Sequence, residues 1–409
     1  MRHIFVTVVI FFTLIQNAAV PAENIPPHDE SLQTLIQAAL RNHPDIAVYT
    51  AVLEQKKTLS RSAAQVPNLE FNSRLLYSPD ENGVEGEYTL FHTFETGGRR
   101  NARVAVARSL YKRKELEILI KKQDIVKELI TMLYRLRQIQ HETAAVKESI
   151  RTYSAQLRKY NRLPGLNPEL EISRHIFRNV LDENRIILAG ISAEHTSLIR
   201  NITLFTGIRE DEIKKVTTLP ASWPEIPVNT GKGPYAELSE KIILEAEGRQ
   251  VLAESLPWPD LRIGPSIAHS GGNDGTETRG GVSFSFSIPL YHQNQGEREF
   301  AERGVALAKV QVSAAAEKIS SLRASWTVQY NTLRERLQSL DHMVDRNPAH
   351  GRVHALMNRG LVSTSLIVEA HRQEYSFLKT YHETQLKALG LLWGIYGIDG
   401  IIFREVSND

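Results

Sequence analysis

The 409-residue chain contains no cysteine. That excludes disulfides, thiolate metal sites, a cysteine nucleophile and a lipidated N-terminal cysteine. An excess of charge of either sign is also missing: 49 Lys and Arg stand against 47 Asp and Glu, for a net +2. The balance is neutral on nucleic acid, and with no basic block beside it no nucleic-acid partner is expected. Long apolar runs occur only at the N-terminus. Arg2 and His3 precede an apolar stretch from Ile4 to Ile15, and Ala18, Ala19 and Ala22 follow. Residues 1–22 are therefore expected to be a secretory signal cut after Ala22, since the run falls short of the roughly 20 residues a membrane span needs. No later stretch reads as a helical span, so a membrane role for the mature chain requires a closed barrel. No nucleophile or acid–base constellation is present, and neither an enzyme nor a cofactor is expected.

What is there is a strand pattern that occurs in duplicate. Tyr88, Leu90, His92 and Phe94 alternate with Glu87, Thr89, Phe91, Thr93 and Glu95, and a turn at Gly97-Gly98 follows. Further on, Val282, Phe284, Phe286 and Ile288 alternate with Ser283, Ser285 and Ser287. One face is apolar and the other small and polar, as in a barrel strand with lipid outside and water inside. The first set is expected to face lipid and the three serines the lumen.

Each strand pattern leads into a very long helical one. From Ile118 to Tyr160 an apolar seam recurs in alternating steps of four and three, interrupted only by Lys122 and Thr143. Such a seam marks coiled-coil packing. A helix over about 98–161 would measure on the order of 90 Å. A second seam joins Val305, Ala308, Val312, Ala315, Ile319, Leu322 and Trp326, then Tyr330, Leu333, Leu337, Leu340 and Val344. The two steps of four around Trp326 are a stutter, and Pro348 is expected to interrupt the helix.

The spacing divides the chain into two equivalent units. The first, 23–207, holds strands at about 68–77 and 87–95, the long helix, and a return helix at 168–206. A Pro- and Gly-rich linker covers 208–234. The second, 235–409, holds strands at about 260–269 and 281–290, a long helix at 297–346 and a return helix at 362–396. The fold class expected is mainly α with a small β part: duplicated helix–strand–strand–helix–helix units. Four strands cannot close a barrel, and an open edge cannot face lipid, so several chains must share one. Three copies, about twelve strands, leave a wet lumen; two leave one filled with side chains. A trimer is expected.

Several stretches resemble the TolC-like outer-membrane efflux factor family. Ala38-Leu-Arg-Asn-His-Pro44 is similar to the family's opening. Phe94-Glu-Thr-Gly-Gly-Arg-Arg-Asn-Ala-Arg103 and Ile288-Pro-Leu-Tyr-His-Gln-Asn-Gln-Gly-Glu297 resemble the strand-to-helix turns of its heavy-metal branch. Asn358-Arg-Gly-Leu-Val-Ser363 with Leu366-Ile-Val-Glu-Ala370 resembles its tip and return helix. The likeness covers nearly all of the mature length. Two departures are the absent cysteine of lipidated relatives and His292, where metal-branch relatives often carry an acid. The resemblance implies a homotrimeric, non-catalytic conduit: a β-barrel in the lipid of a Gram-negative outer membrane, continued by an α-helical barrel across the periplasm. Its implied partners are a periplasmic adaptor (membrane fusion protein) and an inner-membrane pump of the resistance-nodulation-division type, with metal ions slightly favoured as cargo. Adaptor contact falls at the helix turns: Leu163, Gly165, Leu166, Arg359, Gly360, Leu361, Val362 and Ser363.

Other features carry less. His350 and His354 share a helical spacing, but lack the further ligands a metal site needs. Gly271-Gly-Asn-Asp-Gly275 lacks EF-hand spacing and reads as a loop within Ser270 to Thr276. Gly97-Gly98 lacks the P-loop lysine. The competing readings are a secreted coiled-coil protein, which leaves the duplicated strands unexplained, and an outer-membrane component of type I protein secretion.

Overall fold

The computed structural model describes residues 30–78, 83–213, 223–228, 233–272, 275–344, 355–356, 359 and 361–402. The expected signal at 1–22, Pro348, His350, His354 and Gly360 lie outside the described residues, as does much of the linker.

Helices α1 (Glu30–Asn42) and α2 (Pro44–Ala63) open the chain. They meet at His43, whose Nδ1 accepts from the Asp45 N–H at 3.1 Å, while Pro44 takes the first helical position, where its missing N–H costs nothing. Strands β1 (Glu70–Ser78) and β2 (Gly83–Phe94) follow. The 63-residue helix α3 (Arg99–Asn161) leaves the sheet, and α4 (Pro168–Thr206) returns. At about 1.5 Å per residue α3 is roughly 95 Å long. After the short α5 (Glu210–Ile213), the same order recurs: α6 (Pro234–Ser255), β3 (Leu261–Gly272), β4 (Gly275–Ser285), α7 (Gln295–Val344) and α8 (Thr364–Asp399). The chain is thus a duplicated helix–hairpin–long helix–return helix unit, mainly α with a small β part.

The two hairpins form one antiparallel sheet in the order β1-β2-β3-β4. β2 pairs with β3, which joins the two units. Strands β1 and β4 have no second partner among the described residues. The limits of three strands differ from the sequence expectation, and β3 runs on to Gly272 rather than ending near 269. β2 begins at Gly83 rather than near 87, and β4 runs from Gly275 to Ser285 rather than over 281–290. Ser270, Gly271 and Thr276 belong to the expected loop, yet Ser270 pairs with Glu277 and Gly271 with Thr276; cross-strand pairing overrides their weak local preference. At the other end, Pro289 has no N–H to give a ladder, and the Leu290 N–H turns back to Ile288 O at 2.9 Å. The ladder with β3 has already ended at the Arg262–Ser285 pair, so Phe286, Ser287 and Ile288 follow the strand rather than belong to it.

The helices pack as a wall. Near the sheet the row is α2, α3, α6, α7; farther away it is α4, α3, α8, α7. The main core lies where the two rows meet. Leu35, Ile36 and Ala39 of α1, Val126, Leu129 and Leu133 of α3, Ile202 of α4, Tyr330 and Leu337 of α7, and Ala388 and Leu392 of α8 are buried together. Trp223, from the linker, completes this core: its carbonyl accepts from Arg334 Nε at 3.0 Å, and Pro224 O accepts from the Tyr330 hydroxyl at 2.7 Å. Toward the tip two smaller clusters follow: Ile139, Val146 and Ile191, then Tyr153, Phe177, Leu181 and Ile367.

The α3 seam is buried or half-buried along its whole length. The α7 seam is not: Ala315 and Leu322 are exposed, because α6 and α8 each cover only part of that helix. Phe300, Leu307, Val310 and Val328 on α7 are exposed too, as are Val48 on α2 and Ile172 and Ile186 on α4. Both flanks of the wall thus present apolar side chains.

Candidate functional site

The register separates the two faces of the sheet. Phe71 lies opposite Leu90, Tyr77 opposite Val84, Tyr88 opposite Ile267, Phe94 opposite Leu261, Pro265 opposite Val282 and Ile263 opposite Phe284. These residues form one apolar face, and it is bare: Phe71, Val282 and Phe284 are each more than 60% exposed. Val84 and Phe94 bound it on β2. Ten residue steps span about 33 Å along a strand. At the tilt of a barrel strand that is roughly 25 Å of height, the apolar band of an outer-membrane barrel. Within it, Phe284 stands one residue from the end of β4, while Tyr88 and Ile267 lie near mid-height.

The opposite face is polar. Arg74 lies opposite Glu87, Ala268 opposite Glu87 on the other side, Ser283 opposite Gly264 and Ser285 opposite Arg262. Leu76, opposite Glu85, and Phe91 are its large apolar exceptions, and Phe91 is buried beneath an ion pair. Arg262 reaches across β2 to Glu70 at 3.1 Å, with its guanidinium 5.9 Å from the Phe91 ring centre. Gly264 is obligatory beside Phe91: a Cβ there would sit 1.9 Å from Leu90 O. Ser283 and Ser285 are on this face within β4; Ser287 is beyond it.

Sheet and wall are joined by a turn whose residues the sequence motif singled out without revealing their contacts. Gly97 and Gly98 both adopt left-handed backbone, φ 62° and 72°, which a side chain would strain. Arg99 donates to Asp260 Oδ2 at 3.0 Å and to Trp258 O at 2.8 Å. Arg103 pairs with Glu95 and, through Nε, with Ala63 O; Arg100 Nε reaches Ala64 O at 2.7 Å. Two arginines thus cap the carbonyl end of α2. The hydrogen bond from Arg103 holds the Glu95 carboxyl below its ordinary range.

Midway along the wall, three helices meet at a buried charged cluster. Arg135 on α3 donates to Glu142 Oε1 at 2.6 Å and to Glu194 Oε1 on α4 at 2.6 Å. His382 on α8 contacts Glu142, and Gln138 Nε2 donates to His382 O at 3.0 Å. Burial pushes the Glu142 carboxyl up, but hydrogen bonds from His382 and Arg135 outweigh it and hold it at about 2. The sequence reading missed this cluster. Its only trace was a second, polar stripe beside the seam: Gln138, Glu142, Ser149, Thr152 and Gln156, all buried.

At the far end both return helices begin with a side-chain cap. Asn167 Oδ1 accepts from the Leu170 N–H at 2.8 Å, and Ser363 Oγ from the Leu366 N–H at 3.4 Å. The Tyr160 hydroxyl lies 3.3 Å from Thr364 Oγ1, joining the two turns. Leu163, Gly165, Arg359 and Leu361 are exposed. Leu166 and Val362 are half-buried, and Val362 packs on the Tyr153–Phe177 cluster. Gly165 does not use left-handed backbone.

Among the described residues no group of three or more His, Asp or Glu could hold a metal ion. No described helix is long and apolar enough to cross a membrane. No protein-family model and no curated protein sequence matches the chain. Solved structures do. The Vibrio cholerae outer membrane protein VceC aligns with a TM-score of 0.68 and 16% identity over 91% of this chain and 96% of its own. The Neisseria gonorrhoeae outer membrane channel MtrE, in its open state, aligns with a TM-score of 0.70 and 14% identity over 91% and 89%. CusC, studied for transmembrane channel formation, aligns with a TM-score of 0.65 and 15% identity over 91% and 92%. Over nearly its whole length, this chain has the fold of outer-membrane channel proteins.

Proposed function

We propose that the protein is the outer-membrane channel of a tripartite efflux system, a passive conduit from an inner-membrane pump, through a periplasmic adaptor, to the outside. The observation that carries this reading is the sheet. It has one bare apolar face of bilayer height, one polar face and, among the described residues, two unpaired edges, and such a sheet is stable in lipid only when copies close it into a barrel. The exposed apolar flanks of the helical wall support the same assembly. Three copies supply twelve strands and a lumen wide enough for water. The apolar side faces lipid, with Val282 and Phe284 within β4 and Phe286 and Ile288 continuing below it. Ser283 and Ser285 line the pore, and Ser287 its foot. No acid–base or nucleophilic group is needed, since the pump supplies the energy.

The cargo proposed is a small solute, with metal ions first because the two strand-to-helix turns resemble those of the heavy-metal branch. The pump type follows from the same resemblance. Native mass spectrometry in detergent tests the assembly, and conductance across a planar bilayer tests the conduit. Three copies per particle and stepwise conductance are the expected results. A stable, inserted monomer or a silent bilayer would overturn the reading.

A further inference from the structure

The chain has four tryptophans. Trp223, Trp326 and Trp393 belong to the helical core. Trp258 instead stands at the foot of the apolar sheet face, 61% exposed. Its backbone is pinned on both sides, since its carbonyl accepts from Arg99 Nη2 at 2.8 Å and its N–H donates to Ser255 O at 3.4 Å. Its ring lies over Gly97, where a Cβ would come within 2.6 Å. Among the described residues no acceptor meets its indole N–H. The ring forms one wall of an apolar groove of about 430 Å³, completed by Thr96, Gly97, Pro259, Leu261 and Phe286.

Leu261 lies opposite Phe94 at the lower limit of the apolar face, so the groove opens directly onto that face. It lies at the exit of β2 and the entry of β3, the two central strands, and only Phe286 comes from beyond an edge strand. A second copy of the chain, joining at the edges β1 and β4, would leave the groove open. An indole combines an apolar body with a single donor, which suits the level where acyl chains give way to headgroups.

We propose that this groove holds an acyl chain of a glycerophospholipid in the leaflet on the helix side, with the Trp258 N–H turned to the lipid's ester or phosphate oxygens. The proposal rests on the lipid-facing reading of the sheet and adds a specific site to it. Full-length protein reconstituted into phosphatidylcholine vesicles carrying bromines on the acyl chain, near the ester end or near the chain end, tests it through tryptophan fluorescence. Ester-end bromines should quench the wild type more than chain-end bromines, and this difference should be lost in Trp258→Phe. Phe286→Asn keeps the indole but makes the groove polar, and should weaken the quenching. Flotation with vesicles after a carbonate wash reports insertion separately. Protein that floats but is quenched equally with and without Trp258 overturns the groove and leaves the channel reading standing. Protein that does not float overturns both.

Discussion

The Glu142 carboxylate and the His382 Nδ1 lie 2.8 Å apart, bridging α3 and α8, with both side chains almost fully buried. Because a carboxylate only accepts, His382 carries its proton on Nδ1. Arg135 holds Glu142 from the other side and extends the link to Glu194 on α4. The link sits beside the buried apolar contacts of Ile139, Val146 and Ile191 and fixes the three helices in register.

The first prediction follows from that link. The folded Glu142 carboxyl sits at about 2, below its ordinary 4.5. A depressed carboxyl contributes stability above its unfolded value and loses it as the pH falls toward the folded one. The melting temperature in detergent should therefore drop between pH 4.5 and 2, and Glu142→Gln should flatten that drop. At neutral pH the substitution should cost roughly 3 kcal/mol, because it leaves Arg135 and His382 short of a buried partner. An unchanged pH profile in Glu142→Gln would show that another carboxyl is responsible.

A second prediction compares neighbours on β3. Ile267 points to the apolar face at mid-height and Ala268 to the polar face. Arginine at Ile267 should cost about 2–4 kcal/mol of membrane stability, and arginine at Ala268 much less. Ala268 also lies opposite Glu87, which gives the new charge a partner. Folding titrations into vesicles measure both; equal costs would mean that the two faces do not meet lipid and water.

These surfaces were unequally legible in the sequence. The long helices were plain because a seam of period 3.5 persists over a dozen turns, and the duplicated hairpins because their alternation is strict. The limits of β2 and β4 were not, since Gly83 and the run Gly275 to Gly281 carry turn-type residues that only the partner strand holds extended. Phe286 and Ile288 continue the alternation past Ser285, where the ladder with β3 has already ended. The Arg135 cluster was hidden for a different reason: polar residues beside an apolar seam look solvated until a third helix covers them. Trp223, set among prolines, gave no sign that it would fill the core.

A third prediction concerns the joint between sheet and wall. Arg103→Met removes the partner of Glu95, whose side chain is 8% exposed, and one cap of α2. A loss of about 1–3 kcal/mol is expected, chiefly from stranding the carboxylate. Glu95→Gln should recover part of it in the double variant, a coupling that a double-mutant cycle reads directly. Additive effects would show that the pair does not hold the joint.

The last prediction concerns the tip, and it rests on the proposed tripartite assembly. A conduit fed by an adaptor needs a docking surface where its helices turn. At the two turns Leu163 and Leu361 are exposed by 45% and 69%, apolar area that has no purpose in water. Gly165 sits between them in sequence order, and a Cβ there would meet nothing within 4 Å. Its backbone does not demand glycine, so a large side chain can be added without strain and will project outward. Val362 and Ser363 serve the turn itself, one by packing inward and the other by capping α8, and are poor places to test docking. Gly165→Arg and Leu361→Asp should therefore leave trimer yield and melting temperature unchanged while adaptor cross-linking and export fall together. Substitution of Ser363 by Ala should lower stability by about 1 kcal/mol through the lost cap, with docking intact. Normal export in both Gly165→Arg and Leu361→Asp would place the adaptor contact elsewhere on the wall.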